Sequence, residues 1–287
     1  MSTVRYQNRF MATALLGASV LVILTILAIV SFVGRQGLLT FRDVSWQEFF
    51  LSPHWNPTNG QYGALVFILG SLGVTFLALL FGTPLGLAAA IYMAKIANAP
   101  MRDLLRTATD LFVGIPSVVY GWIGLTVLVP ALQRWTGTSG FGLLPAALVL
   151  GIMILPTLVS ISEDALRALP VSLEEASLAL GATRWQTIWE VLLPAARPGI
   201  LTAVVLAMAR AIGETMAVQM LIGNTPQFPQ SLVTPTSALT SEIVVEMANT
   251  PFGSTWNNAL FLMALVLLLI SLALILIIRL ISRGRLT

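Results

Sequence analysis

The chain has 287 residues, of which 57% are hydrophobic and only 9% are charged, and its mean hydropathy is +0.89. Soluble domains carry roughly 25% charged residues, so this composition predicts an integral membrane protein and excludes an ordinary soluble domain. The net charge of +3 comes mostly from basic residues in predicted loops. It therefore predicts contact with membrane lipid and no binding of nucleic acid. The absence of cysteine and the single histidine, His54, exclude thiolate and multi-histidine metal sites.

Six apolar stretches are long enough to cross a bilayer as helices, which predicts an all-α, polytopic membrane fold with six transmembrane helices. They comprise residues 10–33, 63–94, 107–132, 141–162, 197–222 and 256–281. The first is too long for a signal-peptide core, so we expect it to be retained. Glycine and proline at 82–86 and 114–117 predict a kink or break within the second and third spans. Residues 1–287 contain no linker and are expected to form one transmembrane domain.

The distribution of basic residues predicts the orientation of these spans. With six spans both termini share a side, and that side carries eleven Lys and Arg residues, against three on the other side. The eleven are Arg5, Arg9, Lys95, Arg102, Arg106, Arg167, Arg184, Arg197, Arg279, Arg283 and Arg285, and the three are Arg35, Arg42 and Arg134. The positive-inside rule therefore predicts that both termini are cytoplasmic. The aromatic residues of the outer stretch 34–62 predict an interfacial helix, with a docking surface as the alternative.

A polar segment at 171–194 lies between the fourth and fifth spans. Ser172, followed three residues later by Glu175, predicts a capping box at the start of a helix. Gly181 predicts a turn, and Thr183 predicts the start of a second helix that ends at Pro194. The segment is therefore expected to form two short helices on the cytoplasmic side.

The charge of this segment bears on what it contacts. A helix that lies on a lipid surface is normally rich in Lys and Arg. This segment instead carries Glu174, Glu175 and Glu190 against a single Arg184. The acidic balance favours a protein partner, and a position on the lipid surface is the alternative.

The spacing within the segment resembles the EAA loop of ABC-importer permeases. The matching positions are Glu175, Ala176, Ser177, Gly181, Val191, Leu193 and Pro194, with Ser177 in place of an alanine and Val191 in place of an isoleucine. In that family the loop is the coupling helix, which sits in a cleft of the ATP-binding subunit. The resemblance implies the MetI-like fold of type I importer permeases. It also assigns the contact with the ATPase to Glu174, Glu175, Ala176, Gly181 and Pro194.

Further runs resemble the phosphate-importer permeases of PstC type, which reside in the inner membrane. They are Asn-Pro-Thr-Asn-Gly-Gln-Tyr-Gly at 56–63, Ile-Pro-Ser-Val-Val-Tyr-Gly at 115–121, Arg-Ala-Ile-Gly-Glu-Thr-Met-Ala-Val at 210–218, Gly-Asn-Thr-Pro at 223–226 and Val-Glu-Met at 245–247. The resemblance implies half of a phosphate pathway that alternates between inward and outward access. It implies four partner chains: a second, PstA-like permease, a homodimeric PstB-like ATPase and a PstS-like extracytoplasmic phosphate-binding protein. ATP and magnesium would be used by the ATPase, and this chain is expected to bind no cofactor.

Two ionisable residues fall within the fifth span. Arg210 lies 12 residues beyond Pro198, which is about 18 Å along a helix and therefore near the centre of the bilayer. Glu214 follows one turn later, on the same helical face. The two side chains either pair with each other or with a facing subunit to hold the bundle together, or bind a passing oxyanion at Arg210 with Glu214 limiting that binding. The PstC resemblance favours the pathway, for which Ser117 and Tyr120 are candidate hydroxyls.

The sequence also excludes one activity. A phosphate-binding ATPase loop requires Gly-x4-Gly-Lys-Ser/Thr, and the only lysine, Lys95, precedes isoleucine. With one histidine and no cysteine, no set of nucleophile, base and acid is apparent. We therefore expect a transport subunit rather than an enzyme. The alternatives are a permease for another oxyanion, such as sulfate or molybdate, and, from another class, a membrane scaffold, a sensor subunit or a stand-alone membrane enzyme.

Overall fold

The structure, a computed structural model, describes the backbone of residues 2–283 and the side-chain surroundings of residues 11–280. Within that part the chain is helical apart from loops and one short hairpin. The α-helices are α1 (Ser2–Leu38), α2 (Trp46–Leu51), α3 (Leu65–Ile91), α4 (Ala99–Gly114), α5 (Ser117–Ile123), α6 (Val129–Thr136), α7 (Leu143–Arg167), α8 (Val171–Ala179), α9 (Arg184–Gln186), α10 (Leu193–Gly213), α11 (Met216–Ile222), α12 (Leu239–Glu246) and α13 (Thr255–Arg283). The side chains of Arg5, Arg9, Arg283 and Arg285, which entered the orientation prediction, lie outside the described side chains.

Several of these helices are joined by turns of other pitch. Wider, π-helical turns at Tyr92–Ile96, Gly124–Leu128 and Thr187–Leu192 continue α3, link α5 to α6, and link α9 to α10. Five helical stretches of the described chain are long and apolar enough to cross a membrane, and a bent pair of helices makes a sixth. The stretches are Met11–Arg42, Leu65–Ile96, Leu143–Arg167, Arg184–Gly213 and Thr255–Leu280, and the bent pair is Ala99–Gly114 with Ser117–Thr136. The all-α polytopic fold is therefore confirmed.

The centre of the molecule is a close contact between α3 and α7. A Cβ atom added at Gly86 would lie 2.7 Å from Cβ of Leu158, and one added at Gly82 would lie 3.2 Å from the side chain of Ile154. Small residues let two helix backbones approach, which is the main source of helix association in lipid. Helix α10 crosses the same pair and packs Gly199 against Ala165. The glycines of the second span therefore serve close packing between α3 and α7.

Helix α1 lies at the edge of the bundle and packs along α13. The rings of Phe32 and Phe261 meet edge to face at 5.5 Å, and Gln36 donates a 2.7 Å hydrogen bond to Asn258. In the most apolar part of this span, no residue is buried within the chain. The exposed apolar side chains of α1 are those expected of a helix surrounded by lipid or by another subunit.

A small layer between α1 and α3, together with α12, covers one end of the bundle. The strands β1 (Trp55–Asn56) and β2 (Gln61–Tyr62) pair antiparallel. The prediction of an interfacial helix for the aromatics of this layer was wrong in part. Trp46 is exposed, but Phe49 of α2 and Trp55 of the hairpin are buried in a cluster with α13.

The expected third span, 107–132, is two helices in the structure rather than one. Helices α4 and α5 meet at 94° across Ile115 and Pro116. Pro116 has no amide hydrogen and disfavours a helical conformation in the residue before it, and Ile115 is accordingly extended, with ψ of 126°. The expected break at 114–117 is confirmed. Residues 107–114 belong to α4, in which no residue is buried, and residues 117–132 belong to the second arm of the bent pair that makes the sixth span.

The other two departures concern the second and fifth spans. Helix α3 continues through Pro84 without a break. The expected fifth span, 197–222, is interrupted, since α10 ends at Gly213 and Glu214 takes an extended conformation with ψ of 130° before α11 begins. Glu214 then accepts a long, 3.4 Å hydrogen bond from the amide of Ala217, which provides a partner for an unpaired amide in the first turn of α11.

Candidate functional site

The polar segment 171–194 forms two helices separated by a turn, as predicted. The start of the first helix and the end of the second differ from the prediction. Helix α8 starts at Val171 without a side-chain cap, so the predicted capping box of Ser172 and Glu175 was wrong. Pro170 precedes the helix, and its fixed φ suits a helix start without a capping side chain. The turn at Gly181 is confirmed, with φ of +86°, a conformation that favours glycine. Thr183 caps the next helix, as predicted, and the structure adds a capping box with Gln186.

The second helix of the segment does not end at Pro194. The π-helical turn Thr187–Leu192 leads directly into α10, where Pro194 occupies the first turn. Because the helix is continuous there, Pro194 leaves one carbonyl of the preceding turn without its usual amide partner. The second helix of the segment is therefore continuous with α10, the helix that carries Arg210.

The side chains of α8 divide into an outer and an inner set. Glu175 and Ala176 are exposed, as are Leu180, at 90% of its surface, and Gly181. Exposed apolar residues beside carboxylates form a surface of the kind that binds another protein. Pro194 is also exposed. Four of the five residues assigned to ATPase contact thus lie on the surface of the chain.

The fifth of those residues is bound within the chain. The Glu174 carboxylate accepts a 2.8 Å hydrogen bond from Nζ of Lys95 and forms an ion pair with it. On the same inner side, the hydroxyls of Ser177 and Thr187 form a buried hydrogen bond of 2.9 Å. Next to Thr187, Ile188 lies in a buried apolar cluster. These contacts attach α8 to the rest of the molecule, and sequence reasoning identified none of them.

Arg210 and Glu214 do not form the predicted pair. Because α10 ends at Gly213, Glu214 is no longer on the helical face of Arg210. Among the described side chains, neither residue makes an ion pair within 4.0 Å. Arg210 is half-buried and lies close enough to Tyr120 to act on it electrostatically. The hypothesis that an internal Arg210–Glu214 bridge holds this bundle together is therefore not supported by the structure.

Glu214 instead lies in a small cleft between three helices. The polar residues of this cleft are Ser71 and Thr75 of α3, Glu214, and Thr240 of α12, and its apolar walls include Ala211. Sequence reasoning missed the three hydroxyl residues. The i, i+4 spacing of Ser71 and Thr75 within an apolar span was the available signal, because polar residues in such spans face the interior of a bundle.

The two hydroxyls proposed for the pathway lie at the break between α4 and α5. Tyr120 is buried, and its hydroxyl donates a 2.9 Å hydrogen bond to the carbonyl oxygen of Phe112. Ser117 is the first residue of α5 and is half-buried. Neither lines the cleft that contains Glu214. The pathway role of Ser117 and Tyr120 stays a prediction, and the hydroxyl of Tyr120 is already engaged within the chain.

A pair of carboxylates lies in the layer at the far end from α8. Glu246 accepts hydrogen bonds from the indole nitrogens of Trp55, at 3.1 Å, and Trp256, at 2.7 Å. Glu242 is only 4% exposed and accepts a 2.9 Å hydrogen bond from Ser237. Burial and the nearby charge of Glu246 raise the pKa of Glu242 from 4.5 to about 8. The pair thus joins the hairpin, α12 and α13, and carries a titratable group near neutral pH.

Comparison with known proteins identifies the family. Residues 82–286 match the family described as binding-protein-dependent transport system inner membrane component. The probable ABC transporter permease protein YqgH of Bacillus subtilis (strain 168) is 49% identical over 284 residues, covering 97% of this chain and 91% of that protein. The phosphate transport system permease protein PstC of Mesorhizobium japonicum (strain LMG 29417 / CECT 9101 / MAFF 303099) is 35% identical over 273 residues, with 88% and 82% covered.

A solved structure agrees with the fold. An inward-facing structure of the MetNI methionine ABC transporter, in its CY5 SeMet soak crystal form, matches with a TM-score of 0.56 and 27% identity. The match covers 75% of this chain and 94% of the other. The MetI-like fold predicted from the sequence is thereby confirmed. Permease subunits of such importers are not themselves enzymes, and they act with ATPase and substrate-binding partners. The chain belongs to the family of binding-protein-dependent transport system inner membrane components and is a multi-pass permease subunit of an ABC importer.

Proposed function

We propose that this permease subunit imports phosphate. The observation that carries the proposal is the guanidinium of Arg210, which has no carboxylate within 4.0 Å among the described residues. An arginine deep in a bilayer costs at least about 2.5 kcal/mol. A transported anion or a second subunit offsets that cost, and the planar, multi-donor group suits the oxygens of an oxyanion.

The cleft that contains Glu214 adds groups that suit a protonated oxyanion. Glu214 accepts hydrogen bonds when it is ionised, and the hydroxyls of Thr75 and Thr240 both donate and accept. Phosphate near neutral pH carries a hydroxyl that donates to such a carboxylate, whereas sulfate carries none. A carboxylate along the pathway also prevents an anion from binding too tightly to move on.

The relatives named as phosphate permeases support the same cargo. Several of them, called PstC, are 33–35% identical to this chain over most of its length. By analogy we propose a complex with a PstA-like second permease, a PstB-like ATPase homodimer and a PstS-like extracytoplasmic binding protein. The ATPase, using ATP and magnesium, would contact the exposed residues of 171–194. Both termini of this chain would face the cytoplasm.

The cargo is tested with the whole complex in liposomes. Phosphate, delivered by its binding protein, should stimulate ATP hydrolysis and accumulate inside the vesicles. Sulfate and molybdate, offered with the same complex, should do neither. Stimulation by sulfate or molybdate with no response to phosphate would favour the alternative, a permease for another oxyanion.

A further inference from the structure

Lys95 links the third helix to the polar cytoplasmic segment. It is the only lysine of the chain and lies in the π-helical turn that ends the α3 span. Its Nζ is 2.8 Å from Oε2 of Glu174 in α8, and the two side chains are 15% and 31% exposed. Single π turns occur frequently at functional sites in helices. The chain thus uses its one ammonium group, on a specialised turn, to contact α8.

Helix α8 has a second attachment, to α10. Ser177 bonds to Thr187, and the turn containing Thr187 continues without interruption into α10, at whose far end Arg210 lies. A displacement of α8 is therefore passed to α10 through the chain itself. The ion pair of Lys95 is the corresponding contact with α3.

The two helices reached in this way line the same cleft. Helix α3 contributes Ser71 and Thr75, and the end of α10 contributes Ala211, next to Glu214. If only α10 followed α8, the two walls would slide past each other. If α3 follows as well, both walls move together with α8.

We propose that Lys95 is a positioning residue, which through its ion pair with Glu174 makes α3 follow the coupling segment during transport. The proposal rests on the proposed function only in that it takes 171–194 as the contact with the ATPase. Lys95 itself touches neither cargo nor ATP. The proposal assigns Glu174 to a contact within the chain instead of to the ATPase. The exposed Glu175 and Ala176 remain available to the ATPase.

The competing explanation is an ion pair without a mechanical role. Both explanations predict that the ion pair adds to stability, so stability does not distinguish them. The chain offers a matched control in Arg106 of α4 and Asp164 of α7, whose charged groups are 3.1 Å apart. That pair joins two helices without including α8, and its side chains are 44% and 59% exposed.

The test uses the complete importer complex in liposomes and measures the number of substrate ions imported per ATP hydrolysed. Lys95→Glu and Glu174→Lys should each lower this ratio about tenfold, within the usual range of coupling free energies. The double exchange Lys95→Glu/Glu174→Lys should restore most of it. Arg106→Glu, Asp164→Arg and their combination should leave the ratio unchanged.

A second measurement guards against variants that assemble poorly. Because the chain contains no cysteine, Lys95→Cys/Glu174→Cys introduces the only two thiols of this subunit. A short bifunctional thiol reagent should raise the number of ions that this variant imports per ATP hydrolysed. In a complex otherwise free of accessible thiols, the same reagent should not change this number for the cysteine-free subunit.

The outcomes separate this proposal from the identity of the cargo. A normal ratio in both single variants, or no recovery in both the double exchange and the cross-linked variant, would overturn the role of Lys95. The ratio is measured with whichever oxyanion stimulates the wild-type complex. Failure of phosphate as cargo would therefore contradict the proposed function and leave the test of Lys95 intact.

Discussion

The hydroxyl of Tyr120 donates a 2.9 Å hydrogen bond to the carbonyl oxygen of Phe112, across the break where α4 and α5 meet at 94°. Carbonyl groups in the last turn of a helix have no partner within that helix. Pro116, at the break, supplies no amide hydrogen. The bond therefore satisfies a carbonyl group at the end of α4 and fixes the direction of α5 relative to α4.

Replacement of Tyr120 by phenylalanine tests this relationship. Tyr120→Phe should lower the free energy of unfolding by about 1 kcal/mol, because the carbonyl oxygen of Phe112 loses its hydrogen-bond partner. The measurement is the midpoint of thermal unfolding of the purified subunit in detergent. Tyr92→Phe is the control, since the Tyr92 hydroxyl makes no hydrogen bond with the described residues. Equal midpoints for the two variants would contradict a role of the bond in stability.

Removal of the intramembrane cation should stop transport and leave the complex assembled. Arg210→Gln is expected to lower phosphate uptake at least about tenfold, because a charge-assisted hydrogen bond contributes about 1.5–3 kcal/mol. Uptake into liposomes and the yield of intact complex are the two measurements. Arg210→Lys keeps the charge and loses the planar group, so its uptake should lie between that of Arg210→Gln and that of the wild-type complex.

Arg134→Gln is the matched control for this prediction, because Arg134 is exposed near the end of α6. Its uptake should equal that of the wild-type complex. Normal uptake by Arg210→Gln would remove Arg210 from the pathway.

The turn at Gly181 should tolerate a side chain only if that side chain accepts a positive φ. A Cβ atom there would meet nothing within 4 Å, so strain at φ +86° is the whole effect. Gly181→Val is expected to cost about 1–2 kcal/mol locally and to reduce substrate-stimulated ATP hydrolysis by displacing α8. Gly181→Asn should be nearly neutral, since asparagine populates this conformation. Equal loss in both variants would indicate a steric contact with the ATPase instead of backbone strain.

The buried Glu242 should make stability depend on pH. Its pKa is raised from 4.5 to about 8 by burial and by Glu246, so between those values the folded chain retains a proton that the unfolded chain has lost. Stability from this group is complete below about pH 4.5 and is lost as the pH rises toward 8. The loss is at most about 1.4 kcal/mol per pH unit.

The measurement is the thermal midpoint of the purified subunit from pH 6 to pH 9. Glu242→Gln, which resembles the protonated carboxyl, should flatten the decline and be more stable than the wild-type chain at pH 9. A decline of unchanged slope in Glu242→Gln would show that another group causes it. Glu48→Gln serves as the control, because Glu48 is only half-buried. This variant should leave the slope unaltered.

The motif of the polar segment predicted its turn and its outer face but not its inner contacts. The positive φ of Gly181 and the cap at Thr183 are local features, set within a few residues, and both were predicted. The ion pair of Glu174 with Lys95 was not, because the two residues are 79 positions apart. Only the packing of α8 against the end of α3 brings them together.

The fifth span shows the limit of periodicity. A continuous helix would place Arg210 and Glu214 on one face, and hydropathy indicates no interruption. The structure ends α10 at Gly213 and directs Glu214 toward Ser71 and Thr75 of another helix. Such a break depends on which groups the neighbouring helices offer to the freed backbone, and one segment of sequence does not contain that information.

The sequence by itself determined that the chain is an all-α membrane protein, where its apolar spans lie, and which segment resembles a coupling loop. These features follow from composition, hydropathy and short-range spacing, which act along the chain. The tertiary structure decided that Tyr120 bonds to Phe112, that Glu242 is buried beside Glu246, and that α8 is attached to two helices. Those properties arise from contacts between distant segments, whose geometry is fixed only when the helices pack.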